Sequence, residues 1–285
     1  MEIINNFLQD KYKVKRAKIV AVFIAVFLGF VFFVYWMTRP TPSCMDGKKN
    51  QDEQGIDCGG VCVERCNKPI IIDLAVEEKG FLASGAVDEF DFYGKVKNPN
   101  NTFGGGKFKY EFIFKDAQGN VLATKDGYNF ILPGESKYLV ENNVAVKGVP
   151  AKIEFMVTDS QWVEFQDHYE KPQLKVVNKN YSEIHSGVGF SEALGLLKNE
   201  SPFDFSLIKL TIILKDASDQ VIAVNGTEMR TVRNGENRDF RALWFNRFPG
   251  EVVGVEVQAD ANIFDSDTFA QRNFSAEYLQ KAGYR

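Results

Sequence analysis

The four cysteines of this 285-residue chain lie together in one short stretch, CMDGKKNQDEQGIDCGGVCVERC, which runs from Cys44 to Cys66. Such a cluster could hold a metal, form a redox centre, carry a lipid or form disulfide bonds. Zinc ligands usually come in C-x2-C pairs, a redox centre needs C-x-x-C in a βα context, and neither pattern is present. We therefore predict two disulfide bonds among Cys44, Cys58, Cys62 and Cys66, and the spacing leaves all three pairings open.

Acidic and amide side chains lie between these cysteines, and Gly47 and Gly55 allow tight turns beside them. Closely spaced oxygen donors are typical of calcium sites, although the order of residues is not the D-x-D-x-D-G pattern of an EF-hand. The alternative is a polar surface loop closed by a disulfide bond. Calcium is the one possible cofactor that the sequence indicates, and its candidate ligands are Asp46, Asn50, Asp52, Glu53 and Asp57.

The pattern C-x-D-G-x-x-N-x-D-E-x-G-x-D-C-G-G-x-C-x-x-x-C, from Cys44 to Cys66, resembles a short cysteine module of exported proteins, often bacterial surface proteins with β-sandwich domains. The resemblance implies an extracytoplasmic setting and names no activity. So short a segment cannot bury a core, so covalent closure would have to stabilise it. We expect residues 39–68 to form a disulfide-rich collar.

The segment before the collar is continuously apolar. Uncharged residues run from 19 to 38 as IVAVFIAVFLGFVFFVYWMT. At about 1.5 Å per residue, such a helix spans the ~30 Å hydrocarbon core of a bilayer. Tyr35 and Trp36 lie at its end, where aromatic rings favour the membrane interface. The pattern predicts one transmembrane helix over residues 19–38.

The charges beside this helix predict its orientation. Arg39 is the only cation that follows it at once, whereas a cluster of cations precedes it: Lys11, Lys13, Lys15, Arg16 and Lys18. The positive-inside rule predicts that residues 1–18 form a cytoplasmic basic tail and that the chain beyond residue 39 is exported. The apolar run is longer than a signal-peptide h-region, and TPSC before Cys44 only faintly resembles a lipoprotein cleavage box, so we expect an uncleaved anchor in the cell membrane.

Two segments of the remaining chain align with each other. GKVKNPN from Gly94 aligns with GLLKNES from Gly195, and EFIFKDAQGNVLA from Glu111 aligns with TIILKDASDQVIA from Thr211. LPGE, which ends at Glu135, aligns with RNGE in the second segment. An offset of roughly 100 residues is too long for a solenoid repeat and fits two tandem domains. We predict domains over residues 69–168 and 169–285.

Each of these domains has the sequence pattern of β-strands. Apolar residues alternate with polar ones, so that in each domain one set of side chains should face inward. The two sets are Phe108, Tyr110, Phe112 and Phe114 in the first domain and Leu210, Ile212 and Leu214 in the second. DAQGN and DASDQ follow these strands and supply turn residues. The fold class predicted is mainly β, with two tandem Ig-like β-sandwiches.

The repeated element F/I-x-F/L-K-D, followed by a turn, a strand and a P/N-G-E loop, resembles the FxLYD group of Ig-like sandwiches. Phe112, Phe114 and Asp116 match in the first domain, and Leu214 and Asp216 match in the second. Ile replaces the leading Phe of the second copy, and Lys replaces the Tyr of both. The resemblance implies a non-catalytic module of an envelope or secreted protein.

Signatures of an enzyme are missing from the sequence. The chain has two histidines, His168 and His185, and neither has another metal donor at ligand spacing. No G-x-S-x-G or H-E-x-x-H motif occurs. The glycines of FGGGKFKY, from Phe103, lack the Ser or Thr of a phosphate loop, and we expect them to form a loop at a sheet edge. We therefore predict that the protein is not an enzyme.

One aromatic segment, ALWFNRFPG, could serve a protein interface, because aromatic side chains with an arginine are enriched there. The alternative is a core strand that runs into a corner. The residues concerned are Trp244, Phe245, Arg247 and Phe248. Trp162, in SQWVEF, is a second aromatic of this kind.

These observations lead to one functional interpretation. The whole chain has a net charge of −4 although its N-terminus is basic, so the part beyond the apolar run is acidic, which argues against nucleic acid as a partner. We predict a membrane-anchored extracytoplasmic binding or scaffolding protein of the cell envelope, with an envelope protein partner or self-association. The alternative functions are a calcium-dependent adhesin and a carbohydrate-binding accessory module.

Overall fold

The computed structural model describes residues 11–38, 43–62, 64–66, 69–166, 169–264, 269 and 273–281. The chain divides into two compact units, Met1–Lys68 and Pro69–Arg285. The first contains a long helix and the cysteine-rich segment. The second contains all twelve of the described strands and a short helix near the C-terminus.

The long helix α1 covers Lys11–Thr38 and therefore includes the basic residues as well as the apolar run. Within the described chain it is the one helix that is long and apolar enough to cross a membrane. Its side chains from Lys15 to Thr38 are all exposed. A helix that is apolar on every face and exposed along its length matches a lipid environment far better than water.

The strands of the second unit are antiparallel and form four three-stranded sheets. Their bounds are β1 Ala75–Ala83, β2 Glu89–Lys97, β3 Phe103–Lys115, β4 Val121–Ile131, β5 Ser136–Ala145, β6 Lys152–Glu164, β7 Leu174–Glu183, β8 Ser191–Asn199, β9 Phe205–Lys215, β10 Val221–Val232, β11 Asn237–Trp244 and β12 Gly254–Asp260. Helix α2, Ala276–Lys281, follows them. The prediction of a mainly β fold after an apolar helix is confirmed.

The first six strands form two facing sheets with the orders β1-β2-β5 and β4-β3-β6. The predicted inward residues of β3 are all buried between them. The Phe112 ring stacks on Phe92 at a centroid distance of 5.2 Å and on Phe155 at 4.4 Å. Because strands alternate their side chains between the two faces, one aromatic row of β3 lies along the middle of this core.

The last six strands have the same arrangement, with the orders β7-β8-β11 and β10-β9-β12. Leu210, Ile212 and Leu214 are buried as predicted. Ile213 is also completely buried, although strand alternation places it on the opposite face of β9. The outer face of this sheet must therefore be covered as well.

The cover of that face comes from the first sandwich. Side chains of β1, β2 and β5 form an apolar cluster with β9 and β10; its members are Leu82, Tyr93, Tyr138, Val140, Ile213, Val221 and Val224. The Gln258 side chain accepts the backbone N–H of Tyr138 at 2.8 Å and donates to its carbonyl at 3.4 Å. The two sandwiches therefore share an apolar and hydrogen-bonded interface.

A buried cation also joins the two sandwiches. The side chain of Lys137, on β5, is completely buried, and its Nζ lies 3.3 Å from Oδ1 of Asp260 at the end of β12. The same Nζ donates to the Phe130 carbonyl at 2.9 Å and lies 3.8 Å from the centroid of that ring. Burial raises the pKa of the nearby Glu135 carboxyl, and the Lys137 ammonium opposes this shift. The charge of Lys137 thus has several partners in place of water.

The aligned N and G-E motifs have the same contacts in both sandwiches. Asn98 and Asn199 are buried, and each donates through its side-chain amide to two backbone carbonyls, one of which lies in the loop after β4 or β10. Their backbone N–H groups donate to the carbonyls of Glu135 and Glu236. A buried amide that is fully paired in this way fixes the loop after β4 or β10 against the strand beside it.

The glycine run was predicted as a loop at a sheet edge, and this prediction is wrong. Gly104, Gly105 and Gly106 lie inside β3, the middle strand of its sheet. The strand register shifts here against both neighbours, between Gly105 and Phe108 on one side and between Gly105 and Lys109 on the other. Glycine supplies a β-bulge in place of a loop.

Replacement of Lys137 by methionine tests the buried ion pair. The variant leaves the Asp260 carboxylate without its partner, and we expect the free energy of unfolding to fall by about 3–5 kcal/mol. Chemical denaturation of the full-length protein in detergent measures this loss. The matched control is Lys109→Met, which removes an exposed ion pair with Asp126 and should cost about 1 kcal/mol or less. Equal losses in the two variants would contradict the role given to Lys137.

Candidate functional site

The cysteine-rich segment contains two disulfide bonds, as predicted. Cys44 pairs with Cys62, and Cys58 pairs with Cys66. The second bond begins inside the loop that the first one closes, so the two loops overlap along the chain. Gly55 lies against the second bond, because a Cβ atom there would come within 2.8 Å of the sulfur atoms of both Cys58 and Cys66.

The carboxylates of this segment bind backbone amides of their own loop. Glu53 is buried, and its Oε2 accepts the N–H groups of Asn50 at 3.1 Å and Asp57 at 3.2 Å. The Asp57 carboxylate in turn accepts the N–H groups of Asp46 and Gly47. These predicted calcium ligands therefore organise the loop in the structure.

One side-chain oxygen of this loop, Oδ1 of Asn50, is buried and, within the described part of the chain, unpaired. Asn50 donates its side-chain N–H to Asp46 at 2.8 Å, which lowers the pKa of that carboxyl. Among the described residues, Oδ1 of Asn50 is buried and has no hydrogen-bond partner. A carboxylate that accepts N–H bonds keeps further lone pairs, so Asp46 and Asn50 fit an oxygen-binding cation.

The other predicted ligands are placed less favourably for a metal. Asp52 is exposed and has a φ of 64°. Glu53 forms a close group with the sulfur atoms of Cys44 and Cys62. Those sulfur atoms belong to a disulfide bond and carry no thiolate charge, so they are poor ligands for a hard cation. Calcium at this loop stays a prediction.

The predicted aromatic interface is divided between core and surface. Trp244 and Phe248 are buried, with their ring centroids 6.0 Å apart. Phe245 is 65% exposed, and the Arg247 guanidinium lies 5.2 Å from the Phe190 ring centroid. The structure therefore leaves Phe245 and Arg247 as the members of this set that are available to a partner.

A cleft that was not predicted lies between the first sandwich and the segment after β12. Its volume is about 560 Å³. Most of its walls are aromatic rings and amide side chains, and its lining residues are Gly106, Lys107, Tyr128, Asn129, Phe130, Gln161, Trp162, Val163, Asn262, Phe264 and Tyr278. A concave surface with rings and a few converging polar groups is typical of a ligand site.

The bulge in β3 shapes the floor of this cleft. Gly105 is opposite Trp162 and Lys107 is opposite Gln161, so the bulge brings two consecutive residues of β6 to the same cleft. A Cβ atom on Gly106 would come within 2.9 Å of Val163 and 3.2 Å of the Phe264 ring. Glycine at this position allows Phe264 to lie directly on the strand.

The walls of the cleft are held by contacts that cross between the sandwiches. The ring centroids of Phe130, from β4, and Phe264, from the chain after β12, are 5.9 Å apart. The Phe264 ring also stacks against Phe274 at 5.8 Å. The backbone N–H of Ser275 donates to the Glu164 carbonyl at 2.9 Å, so the C-terminal segment returns to the end of β6.

The cleft carries little charge. Among its described lining residues, Lys107 is the only one with a formal charge, and its Nζ lies 4.3 Å from the centroid of the Tyr128 ring. A second cleft of about 600 Å³ shares Tyr128, Asn129, Phe130 and Asn262 with the first and continues between the two sandwiches. Together they form a groove.

Sequence reasoning found only one residue of this cleft, Trp162. Tyr128 is 61% exposed near the end of β4, where strand alternation gives no reason for an aromatic side chain. An aromatic residue at an outward position of a strand was the available signal in the sequence. Recognising that position as outward required the strand register. His185 is exposed and lies outside the cleft lining, and His168 lies outside the described residues.

Comparisons with known proteins give a distant structural similarity. No family model matches the sequence, and no curated protein matches it. A solved structure titled as the calcium-binding domain CBD12 of CALX1.1 is similar to 70% of this chain and is itself covered to 84%. Its sequence identity is 12% and its TM-score is 0.21.

Replacement of Cys44 and Cys62 together by serine tests how much the overlapping disulfide loops stabilise this segment. This opens a loop whose ends are 18 residues apart, and in the chain-entropy account we expect a loss of about 3 kcal/mol in this segment. Hydrogen exchange of residues 43–66 should become faster. Exchange in the strands should stay unchanged, because Pro69–Arg285 is a separate compact unit.

The control for this prediction is the pair Cys58→Ser and Cys66→Ser, whose cysteines are 8 residues apart. Opening the shorter loop should cost about 0.7 kcal/mol less in the chain-entropy account. An equal acceleration of exchange throughout β1–β12 in either double variant would contradict the local role of the disulfide bonds.

Proposed function

We propose that this protein is a membrane-anchored, extracytoplasmic binding or scaffolding module of the cell envelope that has no catalytic activity. Helix α1 is the anchor, the disulfide-bonded segment follows it, and the two sandwiches present the binding surface. The partner is an envelope component that the sandwiches hold near the membrane.

The observation that carries this proposal is the exposed apolar face of α1. Its side chains from Ile19 to Met37 include Phe23 and Phe32, which are 72% and 69% exposed. At about 25 cal/mol per Å² of apolar surface, a helix of this kind strongly favours a lipid environment over water. The cations Lys15 and Lys18 at its start favour an N-terminus in the cytoplasm.

Two further features support the extracytoplasmic setting and the binding role. Disulfide bonds persist in oxidising compartments, and all four cysteines are paired. The F/I-x-F/L-K-D element, which resembles the FxLYD group, lies on β3 and β9 at the centre of each sandwich. Its contacts are structural, which favours a non-catalytic module, and the groove between the sandwiches gives this module a surface that could take a ligand.

Membrane orientation can be tested through the redox state of the cysteines. In native membranes the wild-type cysteines should react with a maleimide only after reduction. A variant with the five N-terminal cations replaced by glutamine and three lysines inserted after Arg39 should invert. Its cysteines would then face the reducing cytoplasm and react without reductant.

The control for this prediction replaces the four N-terminal lysines by arginine, which keeps the charge and should keep the orientation. Wild-type cysteines that react without reductant would contradict the proposed topology.

Crosslinking of the intact protein in its native membrane, followed by mass spectrometry, tests the binding role. A stoichiometric envelope partner is expected, and recovery of the protein alone would contradict a scaffold.

A second candidate function, calcium-dependent adhesion, is favoured by the unpaired Oδ1 of Asn50. At a calcium concentration of about 100 times its dissociation constant, binding would add about 2.7 kcal/mol. We would then expect slower hydrogen exchange in residues 43–66, and Asn50→Ala should remove the effect.

The matched control for the calcium prediction is Asn120→Ala. Asn120 donates its side-chain N–H to Asp116 at 2.9 Å, as Asn50 does to Asp46, but lies in a turn of the first sandwich. Its calcium response should equal that of the wild type. Exchange rates that do not change with calcium would remove this second candidate.

A further inference from the structure

We infer that the cleft around Trp162 binds a neutral glycan chain. This inference rests on the proposed function and gives the binding module a class of ligand. Its basis is the combination of aromatic rings, amide side chains and low charge in this cleft with a groove that continues from it.

Aromatic rings supply the first half of sugar recognition. A pyranose ring has apolar C–H faces, and these carry small positive charges that are attracted to the negative face of an aromatic ring. Tyr128 and Trp162 come from β4 and β6, the two strands that flank β3, so they approach the cleft from opposite sides. Tyr128 is exposed and Trp162 is half-buried, so a ring on each side of the cleft can stack on successive sugar units.

Amide side chains supply the second half. Asn129, Gln161 and Asn262 line the same cleft, and each amide carries both donors and acceptors. Sugar hydroxyl groups also donate and accept, so planar amides match adjacent hydroxyls better than charged groups of one sign do. Oδ1 of Asn129 accepts the N–H of Phe130 at 2.8 Å, which fixes the orientation of this amide.

The low charge of the cleft favours a neutral chain over an acidic one. Lys107 is the only charged residue among its described lining, and its ammonium is partly satisfied by the Tyr128 ring. The part of the chain beyond the basic N-terminus is acidic, so a polyanion would be repelled over longer distances.

The shape of the groove favours a chain over a single sugar. The second cleft shares Tyr128 and Asn262 with the first and extends past Tyr110, whose hydroxyl lies 2.6 Å from Glu141. Its charged lining residues are Glu141, Lys209, Glu228 and Asp260, so carboxylates outnumber cations there and an acidic chain is disfavoured. Combined volumes of this size exceed what one sugar ring fills. Glycine at position 106 is needed for the shape of the cleft floor, because a side chain there would crowd Val163 and Phe264.

The experiment is calorimetric titration of the full-length protein, in detergent micelles, with cellohexaose, chitohexaose and hexagalacturonate. We expect at least one of the two neutral hexasaccharides to bind, and hexagalacturonate to bind more weakly. Trp162→Ala should lower the affinity at least about tenfold. Trp162→Phe keeps an aromatic ring and should retain most of the binding, which keeps the inference testable if the alanine variant does not fold.

The matched control is Phe245→Ala, which removes an exposed ring that lies outside the cleft lining. Its affinity should equal that of the wild type. Absence of binding to both neutral probes at millimolar concentration would overturn the inference, and so would an equal loss in Trp162→Ala and Phe245→Ala. Binding of hexagalacturonate alone would overturn the assignment to a neutral chain.

Failure of this inference can be distinguished from failure of the proposed function. If a stoichiometric envelope protein is crosslinked in native membranes while no hexasaccharide binds, only the glycan assignment is lost. If neither result is obtained, the binding role itself fails.

Discussion

The arrangement of the two sandwiches depends on a buried charge, the Lys137 ammonium, which pairs with Asp260 across their interface beside an apolar cluster. A completely buried ammonium is costly unless its partners are fixed, and here they come from β4 of one sandwich and β12 of the other. This requirement specifies how the β1-β2-β5 sheet packs against the β10-β9-β12 sheet. It also explains why Ile213 is buried on the side of β9 that would otherwise meet solvent.

The cleft is a consequence of that fixed arrangement. Phe130 contacts both the Lys137 ammonium and the Phe264 ring, so the residue that helps to hold the ion pair also forms a wall of the cleft. A site whose walls come from two sandwiches keeps its shape only if the sandwiches do not move relative to each other. The buried lysine, the bulge in β3 and the C-terminal segment therefore all help to fix the shape of the cleft.

Alternation of apolar residues predicted the strands and cores, because one buried face leaves a period of two in the sequence. It correctly placed Phe112 and Leu214 inside. It could not place Ile213, whose burial depends on the neighbouring sandwich, or Trp162, whose position depends on a shifted register. The cysteines were predicted as disulfide bonds, but spacing alone does not specify which sulfur atoms meet. Of the predicted calcium ligands, Glu53 and Asp57 accept backbone N–H groups of their own loop, and calcium binding there stays a prediction.

The central claim is that the two sandwiches form one cooperative unit that holds the cleft in shape. Native-state hydrogen exchange of the full-length protein tests it most directly, with β3 and β9 as reporters because each is the middle strand of its sheet. If the claim is right, the slowest amides of both strands exchange with the same opening free energy, and denaturant lowers it equally in both. Two different opening free energies, each responding separately to denaturant, would contradict it.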